Sequence, residues 1–193
     1  FQEADTICFT RTCTKHNWLI KDTDQLAATI HKAFHIATSG RPGPVLIDIP
    51  KDVQFATGSY VGPKQIETPS YQPAKKGDMA AITRLVELIE NAERPIFYTG
   101  GGVINSGSSA SQLLRELADA TNFPVTSTLM GLGAYPASGK GWIGMLGMHG
   151  LYEANMAMHD CDLMIAVGAR FVDRITGRVA DFSPDSIKAQ IDI

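Results

Sequence analysis

The chain has 193 residues, 44% of them hydrophobic and 19% charged, with a net charge of −3, enough for a buried core and about one to one-and-a-half domains. It carries no long basic run for nucleic acid or an anionic membrane surface, and no apolar run near the roughly 18 residues of a membrane span. Cys8, Cys13 and Cys161 show no C-x-x-C spacing, which argues against a disulfide framework or a zinc site and fits a reducing cytoplasm.

Residues 1–21 have no clean period. The chain opens Phe-Gln-Glu-Ala-Asp without an initiator Met and carries no signal-peptide pattern there. A helix follows, capped by Asp22 or Thr23, with Leu26, Ala27, Ile30, Ala33, Phe34 and Ala37 at helical spacing. Gly40 and Pro42 end it. Val45–Ile49, bounded by prolines, reads as a buried strand, so this segment is the tail of an α/β domain. Residues 57–77 lose all apolar period; Pro63, Pro69 and Pro73 lie among glycines, and the stretch reads as a linker.

A second α/β pattern starts at Asp78. Met79, Ile82, Leu85, Val86 and Ile89 line one helical face. Ile96–Thr99 reads as a strand, Ser108–Thr121 as a helix with Leu113, Leu114, Leu117 and Ala118 inward, and Pro124–Ser127 as a short strand. Asp162–Val167 is a third strand and residues 187–193 a fourth. The alternation predicts an α/β fold with a doubly wound parallel sheet. Leu129–Leu151, rich in glycine yet apolar, reads as a long functional loop.

Three strand ends of that sheet carry special turns: Gly100-Gly101-Gly102, Thr128-Leu129-Met130-Gly131 and Gly168-Ala169-Arg170. Strand C-termini of a parallel sheet share one edge, the usual binding edge. The triple glycine admits either a nucleotide-type ligand approaching bare backbone or a plain strand-to-helix turn. It is not the G-x-G-x-x-G fingerprint, since Asn105 holds the third place. Arg170 and Arg174 suit a phosphate or a carboxylate, or pair with Asp173 or Asp181 on the surface. Met130 and Met148 suit the face of a flat ring, while Met156, Met158 and Met164 read as core. His149, between glycines, suits a ligand contact or a structural hydrogen bond. His31 and His35 lie a helical turn apart without an apparent third metal ligand, and His159 reads as a helix-end dipole partner. No nucleophile triad, P-loop or tuned carboxylate is legible.

Ser39-Gly40-Arg41-Pro42-Gly43-Pro44-Val45 through Gln54 resembles the end of the first domain of thiamine-diphosphate enzymes. Thr14–Trp18, Thr126–His149, Tyr152–Met158 and Ile165–Phe171 are similar to the catalytic large subunit of acetolactate synthases, and the resemblance covers essentially the whole chain. It implies that residues 1–56 end the pyrimidine-binding domain, 57–77 link, and 78–193 form most of a central FAD-binding domain. It implies condensation of two 2-keto acids, pyruvate with pyruvate or with 2-ketobutyrate, on thiamine diphosphate and Mg²⁺, in branched-chain amino-acid synthesis. The enzyme would be a homodimer or homotetramer with a small regulatory subunit, cytoplasmic, or plastidic in a plant. Carried over by position, the FAD contacts are Arg41, Gly100, Gly101, Gly102, Thr128, Leu129, Met130, Leu146, Gly147, Met148, His149, Gly168, Ala169, Arg170 and Arg174. Arg174 and Lys51 are the substrate-side candidates. The activating glutamate and the Mg²⁺ motif of such enzymes would lie outside this stretch, so the chain reads as a piece of a longer polypeptide, inactive alone.

Three places depart from the family. Val172 stands where an aspartate is usual, at an expected cost to FAD affinity of about 1–3 kcal/mol; Thr12 replaces a proline; and Ile187–Gln190 differs from the usual strand. The other readings are a related thiamine-diphosphate enzyme of glyoxylate carboligase or pyruvate oxidase type, and a non-catalytic flavin- or nucleotide-binding module.

Overall fold

A computed structural model describes residues 4–62 and 66–193; the opening Phe-Gln-Glu and Pro63 lie outside the described residues. The chain forms two compact units, one running to Lys75 and the other from Lys76 to Asp192.

The first unit is a small βαβ unit. Helix α1, Thr6–Thr10, precedes β1, His16–Leu19; a 3₁₀ turn leads into α2, Leu26–Thr38; and β2, Val45–Asp48, runs parallel to β1 with His16 opposite Val45. Helix α3, Lys51–Phe55, follows Pro50. The Asp22 carboxylate accepts from Asp24 N–H, so it caps the 3₁₀ turn rather than α2 itself. The buried residues of α2 are Ala33 and Ile36, and Phe34, expected inward, is exposed. Gly40 takes φ +54°, the left-handed position past a helix end. Around it, Lys15 Nζ donates to three carbonyls: Ile36 and Ser39 at 2.6 Å and Arg41 at 2.8 Å. Tyr71 O–H donates to Ser39 O at 2.9 Å, and its ring lies 4.8 Å from the Lys15 ammonium.

The second unit holds α4, Met79–Asn91; β3, Pro95–Thr99; α5, Gly101–Asn105; α6, Ser108–Thr121; β4, Val125–Ser127; β5, Trp142–Met145; α7, Tyr152–Asp160; β6, Leu163–Val167; α8, Asp173–Thr176; and β7, Ile187–Ile191. The sheet is five-stranded and parallel throughout, in the order β5-β4-β3-β6-β7. The stretch expected as one long loop therefore contains an edge strand, β5. Its pairing with β4 shifts register between Val125 and Ser127, which breaks the strand period. β3 and β6 read as continuous apolar runs because helices cover both sheet faces. Ile96, Tyr98, Met164 and Ala166 pack with Ala154 and Met158 of α7. Phe97, Leu163, Ile165 and Val125 pack with Leu114 and Ala118 of α6 and with Leu85, Leu88 and Ile89 of α4. Each fully buried Val, Leu, Ile, Phe or Met among them contributes about 1.5–3 kcal/mol by burial. Two expectations fail at helix surfaces: Leu113 and Leu117 on α6, and Met79, Ile82 and Val86 on α4, are exposed. Each stripe is wider than the arc the sheet covers. No helix among the described residues is long and apolar enough to cross a membrane.

The beginnings of β3 and β6 are tied by one carboxylate. Asp162 accepts from Glu93 N–H at 2.7 Å and Arg94 N–H at 2.9 Å. Burial alone would raise its pKa, but these two donors, its own N–H and the Arg94 charge together hold the carboxyl below its ordinary value.

Candidate functional site

In this strand order β3 starts the sheet; the chain adds β4 and β5 on one side and then crosses back to place β6 on the other. The strand order therefore reverses between β3 and β6. The carboxyl ends at such a reversal are where open α/β sheets bind ligands, and here they carry Gly100–Gly102 and Gly168.

These turns pack backbone on backbone. Gly100 N–H donates to Val167 O and Gly102 N–H to Gly168 O, both at 2.9 Å. A Cβ on Gly102 would lie 2.6 Å from Gly168 Cα, and one on Gly168 would lie 2.7 Å from Gly102 Cα. The glycines at 100, 102 and 168 thus serve close packing of two turns first, an explanation the sequence reading did not weigh. Gly131 is seated the same way, where a Cβ would lie 2.5 Å from Thr99 O. Gly101 differs, because the atoms nearest its Cβ position belong to Met130, at 3.2 Å.

The second turn is a 3₁₀ helix, Leu129–Gly131, capped by Thr128, whose Oγ1 accepts from Gly131 N–H at 3.0 Å. Thr128 thus uses one acceptor lone pair on its own turn and keeps its O–H donor. Leu129 and Met130 are 68% and 76% exposed, unusual for apolar side chains held on an ordered turn. After β5 the chain passes Leu146 and Gly147, both buried, then Met148 and His149, both exposed. Leu146 and Ala169 belong to the core, so only their backbone faces the edge. Met148 N–H donates to Arg174 O at 3.1 Å and joins this loop to the third turn.

That third turn is fixed from inside the sheet. Tyr98 O–H donates to Arg170 O at 2.9 Å, and Gln190 Nε2 donates to Ala169 O at 3.3 Å. Burial pushes the Tyr98 hydroxyl pKa up to about 12. Phe171 packs against the rings of Tyr98 and Phe182. Arg170 and Arg174 are exposed, and Arg174 Nη1 pairs with Asp173 at 3.2 Å in an exposed ion pair worth little. Val172 is the N-cap residue of α8 and supplies no side-chain hydrogen bond to it.

The structure therefore brings together Gly100–Gly102, Thr128–Met130, Leu146–His149, Gly168–Arg170 and Arg174 at one sheet edge. Arg41 and Lys51 belong to the first unit. Both are exposed; the carbonyl of Arg41 accepts from Lys15, and Lys51 Nζ lies 5.8 Å from the Phe55 ring. His35 stands edge-on to Tyr71, and no cluster of metal-ligating side chains occurs among the described residues. Of the larger methionine set, Met158 and Met164 are core and Met130 and Met148 face outward.

Two open clefts flank the sheet. One of about 380 Å³ lies at the strand beginnings, lined by Arg94, Ile96, Phe123, Pro124 and Cys161. It is at the wrong end of the strands for a ligand of the carboxyl edge. The other, about 290 Å³, lies beside α7 and α8 and is lined by Leu146, Asn155, Ile175 and Arg178, among others.

Sequence reasoning missed Tyr98, Asn155 and Ser127. Tyr98 and Asn155 each hold a turn of the edge by hydrogen bonds that no motif records. Ser127, at the end of β4, is fully buried, and its hydroxyl has no partner among the described residues. Such an orphan costs about 1–3 kcal/mol unless something outside the chain serves it.

This edge offers what a ligand with a flat ring and a diphosphate would need. Glycines seat the turns where Cβ atoms would collide, exposed Leu129, Met130 and Met148 offer apolar contact to a flat ring, and Arg170 and Arg174 offer guanidinium donors to a diphosphate.

Comparison with known proteins agrees with this architecture. Residues 82–193 match the thiamine pyrophosphate enzyme central domain. The whole chain is 44% identical to the acetolactate synthase isozyme 3 large subunit of Escherichia coli K12, covering 34% of that protein. It is 45% identical to the acetolactate synthase large subunits of Buchnera aphidicola from Schizaphis graminum and of Corynebacterium glutamicum, covering 34% and 31% of them. The chain thus spans about a third of the length of these relatives. With the parallel sheet, its order and a match over residues 82–193, the chain belongs to the thiamine pyrophosphate enzymes, as a bearer of their central domain.

Proposed function

We propose that this chain supplies the flavin-holding part of an acetolactate synthase. The reaction would join the two-carbon remainder of decarboxylated pyruvate to a second pyruvate or to 2-ketobutyrate, for branched-chain amino-acid synthesis. The supporting observation is the joined set of turns at the β3–β6 reversal, with apolar and cationic side chains exposed over tightly seated glycines. The relatives' names supply the reaction class. In this reading residues 1–56 end a pyrimidine-binding domain, 57–77 link, and 78–193 form the FAD domain. The enzyme is a homodimer or homotetramer with a small regulatory subunit.

Thiamine diphosphate with Mg²⁺, when bound, supplies the carbanion chemistry, and FAD has no net redox role. The chain's own residues bind and orient. Met130 and Met148 give apolar contact to the flavin ring, and Arg170 gives a paired donor to its diphosphate. Arg174 takes the second substrate's carboxylate, exchanging the weak Asp173 pair for it. Arg41 and Lys51, in the first unit, remain candidates by resemblance alone. Val172 removes one expected acceptor toward FAD.

The test uses the complete gene product. FAD should quench its fluorescence on binding and copurify in part, and the loaded protein should form acetolactate from pyruvate. Supplying 2-ketobutyrate as well should give the mixed acetohydroxy acid. Carboligation of glyoxylate alone, or oxidation of pyruvate, would move the assignment to a related enzyme, and flavin binding with no keto-acid chemistry would favour a binding module.

A further inference from the structure

Asn155 lies on α7, yet two of its three hydrogen bonds leave the helix. Its Oδ1 accepts from Gly147 N–H at 2.9 Å, and its Nδ2 donates to Gly147 O at 3.1 Å and Leu151 O at 3.0 Å. The acceptor and both amide donors are thus in use. Gly147 is buried at φ +102°, and its carbonyl also accepts from Gly150 N–H at 2.9 Å. A Cβ at Gly147 would lie 2.8 Å from Ile175 Cδ1, so the residue is closed in by α8 on one side and held by Asn155 on the other. The next two residues, Met148 and His149, are exposed, with Met148 N–H bonded to Arg174 O. A loop with glycines at 147 and 150 would otherwise sample many backbone states, and a ligand docking on it would have to order them.

We propose that Asn155 is a positioning residue for the flavin: by holding both the N–H and the C=O of Gly147 it fixes the two peptide groups on either side of that residue and sets Met148 and His149 in their ligand-ready placement. This role rests on the flavin reading of the edge. An asparagine serving α7 alone would have no use for the two Gly147 bonds, because Leu151, and not Asn155, is the helix N-cap residue.

The experiment titrates FAD into the complete gene product and into three variants, following flavin fluorescence and, at saturation, the visible circular dichroism of the bound flavin. Asn155→Leu removes all three bonds. Asn155→Asp keeps the shape and the acceptor but loses the donors, and it decides the question if the leucine variant does not fold. Leu114→Val, in the opposite core cluster, controls for general destabilisation. Both Asn155 variants should bind FAD at least about tenfold more weakly, the order typical when an outer support of a site is removed. Their saturated flavin spectrum should change, while Leu114→Val lowers Tm and leaves affinity and spectrum as in the parent. Parent-like affinity and spectrum in the folded Asn155 variants overturn the positioning role alone. Failure of the parent to bind FAD overturns the flavin reading and this role with it.

Discussion

Gly102 and Gly168 meet backbone to backbone at the centre of the sheet edge, with Gly102 N–H donating to Gly168 O at 2.9 Å. Neither position has room for a methyl group, and Gly168 also sits at φ +58°. Gly168→Ala should therefore cost about 3 kcal/mol or more, adding collision to left-handed strain. Gly107, at φ +91° and ψ 178° with nothing within 4 Å of a Cβ, carries positive-φ strain without a collision, and Gly107→Ala should cost about 1–3 kcal/mol. Urea unfolding of the two variants side by side measures the difference; equal losses would remove the packing argument.

Val172 begins α8 with no side-chain cap, and its carbonyl accepts from Ile175 and Thr176 N–H. An aspartate there could accept from the next free N–H groups of the turn and complement the helix dipole. Val172→Asp should raise stability by about 0.5–1 kcal/mol without any ligand. It should also tighten FAD binding if the family's aspartate acts on the cofactor. A thermal melt without flavin separates the two effects, and an unchanged Tm there would refute the capping account.

Asp162 joins the starts of β3 and β6 through two backbone donors. Its folded-state pKa lies below the ordinary value, so its contribution is present above about pH 4 and is lost as pH falls through the folded value. Asp162→Asn should cost about 1–3 kcal/mol at neutral pH, because its amide would face one N–H with another. The gap to the parent should close below pH 4, and a gap independent of pH would show that the carboxylate charge plays no part.

Tyr98 behaves in the opposite sense. Its folded pKa is raised to about 12, so its contribution is whole below the ordinary value near 10 and fades as pH rises toward 12. Tyr98→Phe should cost about 0.5–1.5 kcal/mol at neutral pH, the worth of the bond to Arg170 O. Stability curves of parent and variant should converge between pH 10 and 12; parallel curves over that range would contradict a buried, protonated phenol.

Much of this layout was legible because its physics is local. The apolar runs of β3 and β6 and the bounds of α6 follow from composition and period, and Ser108–Thr121 was read to the residue. The three turns of the edge were visible as glycines at strand ends. What stayed hidden depends on distant partners. β5 was lost in a glycine-rich stretch because its pairing with β4 slips register. Leu113 and Val86 looked inward because an apolar stripe does not say how much of it the sheet covers. Asn155 and Tyr98 hold turns through single polar atoms, and no spacing rule marks an asparagine as the partner of a glycine earlier in the chain.

Lys15 shows the same dependence in the order of folding. Its ammonium takes carbonyls from Ile36, Ser39 and Arg41, at the far end of α2. A residue that precedes the helix therefore secures the stop that Gly40 makes. Until β1 docks, the carbonyls of Ile36, Ser39 and Arg41 lack the Lys15 ammonium, and that end of α2 should fray more readily. The helix end and the Gly40–Pro44 turn thus become ordered in one event with β1, so the segment carrying Arg41 gains its shape from strand assembly and not from the helix that leads into it.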